Sequence, residues 1–195
     1  MTWRDRILAD GEDRDVWLAA RRSVIGASDM AKLAKTESVD KYLLAKLRDG
    51  QFHGNHYTEQ GHRWEPMMLA WADITPNKAL VHSPDEPGFA ATPDGIGDVL
   101  AECKVKHGWV VTGPTLGEFR QVAAQFLCLP EFGILHWLWM EVDQHGDPFH
   151  EEPKELILHR GDPRIIAATA QVLPIAVDLL ARLRAARQLE RELAA

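Results

Sequence analysis

Ala91-Thr-Pro-Asp94-Gly-Ile-Gly-Asp-Val-Leu-Ala-Glu102-Cys-Lys104-Val-Lys106 is the stretch that decides the reading of this 195-residue chain. Its Thr-Pro-Asp-Gly opening favours a corner, because Asp and Gly suit the backbone angles that turns require. Gly95 and Gly97 permit a tight return, and Val99 to Lys106 then alternates like a strand with one buried face. Side chains two apart on a strand share a face, so Glu102 and Lys104 point one way and Cys103 points the other, into the core. A hairpin return brings Asp94 beside Glu102 and Lys104.

Two carboxylates held about 4 Å apart repel by about 4 kcal/mol at an effective dielectric of 20. A hard divalent cation relieves that repulsion, and oxygen ligands suit Mg²⁺ or Mn²⁺. The expected chemistry is phosphodiester hydrolysis, in which the metal polarises the scissile phosphate and neutralises the leaving oxygen. Lys104 would position or help deprotonate the attacking water and add positive charge near phosphorus. Each piece alone is ordinary: Glu-x-Lys is common on the solvent face of a strand, and Pro-Asp-Gly is a common turn. Their order and spacing carry the signal.

Working outward, Gly26-Ala27-Ser28 precedes an apolar stretch from Met30 to Leu33, which predicts a helix over 28–35. The free N–H groups at its start attract an anion, and the Arg21 guanidinium lies a short segment upstream. The same residues also read as a helix cap at Ser28 or Asp29 with a surface arginine. Asp29 opposes an anion site unless it turns away. Glu65 falls in a helix expected over 58–73, whose Trp64, Met67, Met68 and Trp71 recur at helical spacing as a core stripe. Pro66 places Glu65 in the first turns or at a kink. Glu65 reads either as compensation of the helix dipole or as a metal ligand. Gln121 and Gln125 are four apart on a helix expected over 116–129 and share a face.

With these pieces in order, the sequence resembles the PD-(D/E)xK nucleases, and within them the phage-type exonucleases of the lambda exonuclease and YqaJ-like recombinase group. The resemblance covers roughly the first two thirds of the chain. Trp17-Leu-Ala-Ala-Arg21-Arg-Ser-Val-Ile-Gly-Ala-Ser28 is similar to the family's opening motif, and Gly61-His-Arg-Trp-Glu65 to its Gly-x-x-x-Glu helix. Asp94, Glu102 and Lys104 match the central acid, acid and lysine, and Gln121 matches the glutamine of the following helix. The resemblance implies a candidate catalytic set of Asp94, Glu102, Lys104, Glu65 and Gln121. It implies a metal held by Asp94, Glu102, Glu65 and the backbone carbonyl of Cys103, and a DNA 5′-phosphate site of Arg21, Ser28, Trp17 and Thr92. It also implies attack on duplex DNA from a 5′ end, a homotrimer that threads DNA, a single-strand annealing protein as partner, and a phage or prophage recombination setting. The short acidic hairpin from Asp143 to Glu152 would alter the ring-forming surfaces.

The alternation of elements predicts an α/β fold, a mixed central β-sheet flanked by helices with a restriction-endonuclease-like core. Helices are expected at 15–22, 28–35, 39–48, 58–73, 115–129 and 163–192, and strands at 79–83, 88–92, 99–106, 133–142 and 154–159. One domain is expected, with end-binding helices in 1–50, the catalytic core in 51–160 and a C-terminal helix in 161–195. A net charge of −7 argues against a passive nucleic-acid coat protein, and the acids concentrate in 51–160, with sixteen against seven Lys or Arg. Lys32, Lys35, Lys41, Lys46 and Arg48 give the first fifty residues a backbone-contacting face or simply a solvated one.

No secretory signal or membrane-spanning run is expected, which points to the cytoplasm, as do two separated cysteines, Cys103 and Cys128. Zinc through His53, His56 and His62 has no standard spacing, and two cysteines exclude a four-cysteine iron–sulfur cluster. Rival readings are an endonuclease or nickase on the same fold, or a catalytically silent module that binds DNA or protein.

Overall fold

Alternating apolar and polar residues around Glu102 place Ala101, Cys103 and Val105 on one face of a strand and Glu102, Lys104 and Lys106 on the other, and the rest of the fold is arranged about that strand. The computed structural model describes residues 2–48, 56–108 and 110–194, with the side chains of 56–62 set aside. The helices are α1 (Arg14–Arg22), α2 (Ala27–Met30), α3 (Val39–Leu47), α4 (His56–Trp71), α5 (Leu116–Cys128) and α6 (Pro163–Ala194). The strands are β1 (Ile7–Ala9), β2 (Ile25–Gly26), β3 (Leu80–His82), β4 (Phe89–Ala91), β5 (Gly95–Ile96), β6 (Leu100–His107), β7 (Ile134–Val142) and β8 (Lys154–His159).

The architecture is mixed α/β, as the sequence predicts, but the hydrogen bonding divides the strands into two four-stranded sheets. One has the order β1-β3-β4-β2 and the other β5-β6-β7-β8. In the second sheet β6 and β7 are parallel neighbours joined through α5, with antiparallel strands at both edges. The register sets Glu102 opposite Trp137, Lys104 opposite Trp139 and Lys106 opposite Glu141. Ala101, Cys103 and Val105 face the other way and pack with Leu138 and Met140 against Met68 and Leu69 of α4. Cys103 therefore does point into a core layer.

α5 lies over the Glu102 face. Its start is fixed by Thr115, whose Oγ1 accepts from Glu118 N at 3.3 Å while Glu118 Oε2 accepts from Thr115 N at 2.8 Å, a reciprocal cap. Phe119, Val122, Ala123 and Phe126 then join Leu100, Leu135 and Trp137 in the main core, which continues into Ile165, Val172, Leu179 and Leu183 of α6. Burying each such Leu, Ile or Phe contributes about 1.5–3 kcal/mol. By length and composition α6 is apolar enough to cross a membrane, which the sequence reading did not anticipate. Here its apolar stripe forms part of the core.

Three expectations change. The helix predicted over 28–35 is a single turn, Ala27–Met30, because the chain becomes extended again at Lys35. Short strands at Ile7–Ala9, Ile25–Gly26 and Gly95–Ile96 are too brief to show a sequence period. Glu65 is not in a first turn, since α4 begins at His56, and Pro66 lies well inside that helix. Dipole compensation at a helix start is thereby removed as its role. The zinc alternative rests on His53 and on the side chains of His56 and His62, which lie outside the described residues.

Candidate active site

Asp94 follows the corner that ends β4 and immediately precedes β5. The corner is pinned by Asn77, whose N–H donates to Asp94 O at 2.8 Å and whose Nδ2 donates to Pro93 O at 2.9 Å. Gly95 lets the chain pass close to buried side chains there, which any larger residue would have to displace. A Cβ would come within 2.7 Å of Ile74 and 2.8 Å of Leu69. The hairpin pairs Gly95 with Ala101, and Asp94 Oδ2 accepts from Cys103 N at 2.7 Å. That bond carries Asp94 across to β6, beside Glu102 and Lys104.

Glu102 is 2% exposed, so its charge survives only if its oxygens are well bonded. Oε1 contacts Lys104 Nζ and accepts from Gln121 Nε2 at 2.5 Å. Oε2 accepts from Gln125 Nε2. Lys104 is the counter-charge of this carboxylate. Gln125 is wholly buried, and its Oε1 has no hydrogen-bond partner among the described residues.

The electrostatics reflect crowding of acids. Burial and then the Glu102 carboxylate push the Asp94 carboxyl well above the usual range, with Glu65 adding to the rise, while Lys104 and the Cys103 N–H oppose it. Burial works to lower Lys104, but Glu102 and Asp94 outweigh it and hold the ammonium above its ordinary value. Glu65, half-buried on α4, thus acts on Asp94 from the helix that backs the sheet. Burial, reinforced by Asp94 and Glu102, pushes the Cys103 thiol up, so its side chain is an inert neighbour.

Among the described residues no three His, Cys, Asp or Glu side chains converge closely enough to enclose an ion alone. The oxygen-bearing groups that lie together are the Asp94 and Glu102 carboxylates, with Glu65 close enough to act on Asp94 and the Cys103 carbonyl on the same strand. All are oxygen donors where negative charge is in excess, a composition that fits a hard divalent cation.

The second cluster lies where parallel β2 and β4 end. Gly26 pairs with Ala90, so Ser28 and Thr92, each two residues further on, leave the same end of the sheet, and Asp94 follows. Arg21 Nη2 donates to Ser28 Oγ at 2.5 Å, and the Arg21 guanidinium lies over the Trp17 ring at 5.0 Å. Thr92 Oγ1 is buried with no hydrogen-bond partner among the described residues. The structure thus gathers Trp17, Arg21 and Ser28, with Thr92 at the end of the neighbouring strand. Asp29 turns back, its Oδ2 accepting from Gly26 N at 2.8 Å.

Sequence reasoning missed what ties the clusters together. Arg120, next to Gln121 on α5, is buried and donates from Nε and Nη2 to Ala31 O at 3.1 and 2.8 Å. A Cβ on Gly117 would stand 3.2 Å from that same carbonyl. α5 therefore serves both clusters. An isolated arginine in an apolar helix gives no sequence signal for such a contact, whereas the i, i+4 pair Gln121 and Gln125 did.

No family model matches the chain, and no curated protein matches it in sequence. Solved structures do match in fold. An alkaline exonuclease, LHK-Exo, from Laribacter hongkongensis superposes with a TM-score of 0.68 at 21% identity, over 92% of this chain and 99% of that one. A phage related exonuclease from Haemophilus somnus 129PT superposes with a TM-score of 0.56 at 12% identity, over 94% and 93% of the two chains. SOX, in a complex with DNA, does so with a TM-score of 0.51 at 10% identity, over 87% and 67%. The chain shares the mixed α/β fold of these exonucleases.

Proposed function

We propose that this chain is a Mg²⁺-dependent deoxyribonuclease that shortens linear duplex DNA from a 5′ end. The observation that carries the reading is the convergence of Asp94, Glu102 and Lys104 where the corner after β4 meets β6. Exonucleases share the fold, and the Laribacter enzyme and SOX are known with dAMP and with DNA respectively. Both ligands agree with a nucleotide-containing substrate.

In this reading Asp94, Glu102, Glu65 and the Cys103 carbonyl hold the cation. A divalent cation bound there supplies Lewis-acid polarisation of the scissile phosphate. The remaining work falls to the chain's own groups. Gln121 and Gln125 fix the Glu102 carboxylate so that it is already oriented when substrate arrives. Lys104 lies beside that carboxylate, with its ammonium available to hold the attacking water and offset charge growing on the phosphate. Arg21, Ser28 and Thr92 take the terminal 5′-phosphate, with Trp17 orienting the guanidinium by stacking. Manganese suits the same oxygen donors. The reading extends to a homotrimer around duplex DNA, a single-strand annealing protein as partner, and service in phage-type recombination.

The test incubates the purified chain with linear duplexes bearing 5′-phosphate or 5′-hydroxyl ends and with closed circular DNA, with Mg²⁺ or chelator, alongside Lys104→Ala. Mg²⁺-dependent shortening of linear DNA, fastest on 5′-phosphate ends and lost in Lys104→Ala, is the expected result. Cutting of the closed circle would replace the exonuclease with an endonuclease. Binding of DNA with no cleavage under any condition would leave a silent binding module.

A further inference from the structure

The terminal-phosphate cluster contains a carboxylate where an anion is to be bound. Asp29 follows Ser28 directly, and its negative charge opposes a phosphate held by Arg21 and Ser28. The structure places a largely covered cation against it. Lys46 Nζ, reaching in from α3, lies 2.6 Å from Asp29 Oδ2 and donates to Arg21 O, at the end of α1, at 3.1 Å. The two side chains are only 12% and 19% exposed, so solvent ions screen this pair weakly. Asp29 cannot easily swing out, because the same Oδ2 caps Gly26 N. Among the described residues, no carboxylate pairs with Arg21.

We infer that Lys46 is a specificity-determining residue that acts by cancelling Asp29, leaving Arg21 as the uncompensated charge that selects a 5′-phosphate. This rests on the terminal-phosphate reading above. Asp29 is kept for its cap on the one-turn helix that carries Ser28, and Lys46 removes the electrostatic cost of keeping it. Lys46 touches no substrate in this arrangement. It positions Arg21 through the α1 carbonyl and sets the net charge of the pocket. Without it, the Asp29 carboxylate both repels the phosphate and competes for Arg21.

The role separates from simple scaffolding by a charge-rescue cycle. The full chain is assayed for the ratio of digestion rates on 5′-phosphate and 5′-hydroxyl linear duplexes, as wild type, Lys46→Met, Asp29→Asn and the double variant. Lys46→Met should lower the ratio by about tenfold or more, as expected for one uncompensated charge a few ångströms from the phosphate. Asp29→Asn should keep the ratio at or above wild type, since its amide oxygen still caps Gly26. The double variant should return to within about threefold of wild type, because additivity fails for groups in contact. Lys46→Arg, which preserves the charge, should retain the ratio, and it replaces Lys46→Met as the informative variant if the latter fails to fold by circular dichroism.

An unchanged ratio in Lys46→Met overturns the inference. So does a double variant as impaired as Lys46→Met, which would make Lys46 a structural support only, or a Lys46→Arg protein that folds yet loses the ratio. A wild-type protein with no phosphate preference would sink the terminal-phosphate reading itself, and the inference with it. A wild-type preference that Lys46→Met leaves intact would sink the inference alone.

Discussion

Glu102 and Arg21 are the charged centres of two adjoining regions, and the chain holds them by different means. Glu102 sits in the eight-residue strand β6, paired with β7 along its whole length, and donors from its own strand and from α5 meet both of its oxygens. Arg21 lies in the last turn of a nine-residue helix and reaches Ser28 on a single helical turn, with strand support only two residues long. The first region gains its geometry from long regular elements. The second gains it from individual side-chain contacts: the Trp17 stack, the Asp29 cap and the Lys46 ion pair. Chemistry needs reacting groups held to within a fraction of an ångström, whereas recognition of a terminal phosphate tolerates more adjustment. Under the proposed function, the difference in construction matches that division of labour.

The largest expected effect breaks the first region alone. Glu102→Gln should reduce cleavage about 10³-fold or more on phosphate and hydroxyl ends alike, by loss of charge stabilisation at the reacting phosphate. Circular dichroism should show the fold retained. Next, Arg21→Ala should lower the phosphate-to-hydroxyl rate ratio by about tenfold to hundredfold, the range for a lost hydrogen bond to a charged group. Parallel digestion of the two duplexes measures it, and an equal loss on both ends would count against two separable regions.

Gln125→Leu sharpens the comparison from the other side. It removes the donor to Glu102 Oε2 and should slow both substrates together by about tenfold, with a stability cost of about 1–3 kcal/mol in urea melts, because a buried carboxylate oxygen loses its partner. Arg120→Met cuts the tie between the regions. Its two bonds to Ala31 O hold α2 against α5, and their loss should cost about 1–3 kcal/mol. It should lower the end-selectivity ratio more than the rate on hydroxyl ends, because α2 carries Ser28.

How much of this was legible in the sequence follows the same divide. The Asp94 corner, the alternation through Glu102 and Lys104, and the glutamine pair on α5 are periodic or local signals, and the structure places all of them around one carboxylate. The mixed α/β class was legible because strands and helices of ordinary length alternate. The division into two sheets was not, since β1, β2 and β5 are two or three residues long and exist only through tertiary pairing. The helix expected over 28–35 shrank to one turn for a related reason: an apolar stretch shows that residues are buried, not how the backbone gets there. Asp29 stood as an open objection in the sequence because its ion-pair partner, Lys46, comes from a different helix. Long-range ion pairs leave no trace in local patterning.

The most direct test of the central claim is a Mg²⁺ titration of nucleotide release from a 5′-phosphorylated linear duplex, run in parallel for the wild-type chain and Glu102→Gln. The expected result is cation-dependent release by the wild type that saturates with Mg²⁺, and no release at any concentration by a Glu102→Gln protein with an unchanged circular dichroism spectrum. Equal release by the two proteins, or wild-type release that persists in chelator, would contradict the assignment of Asp94, Glu102 and Lys104 as the hydrolytic centre.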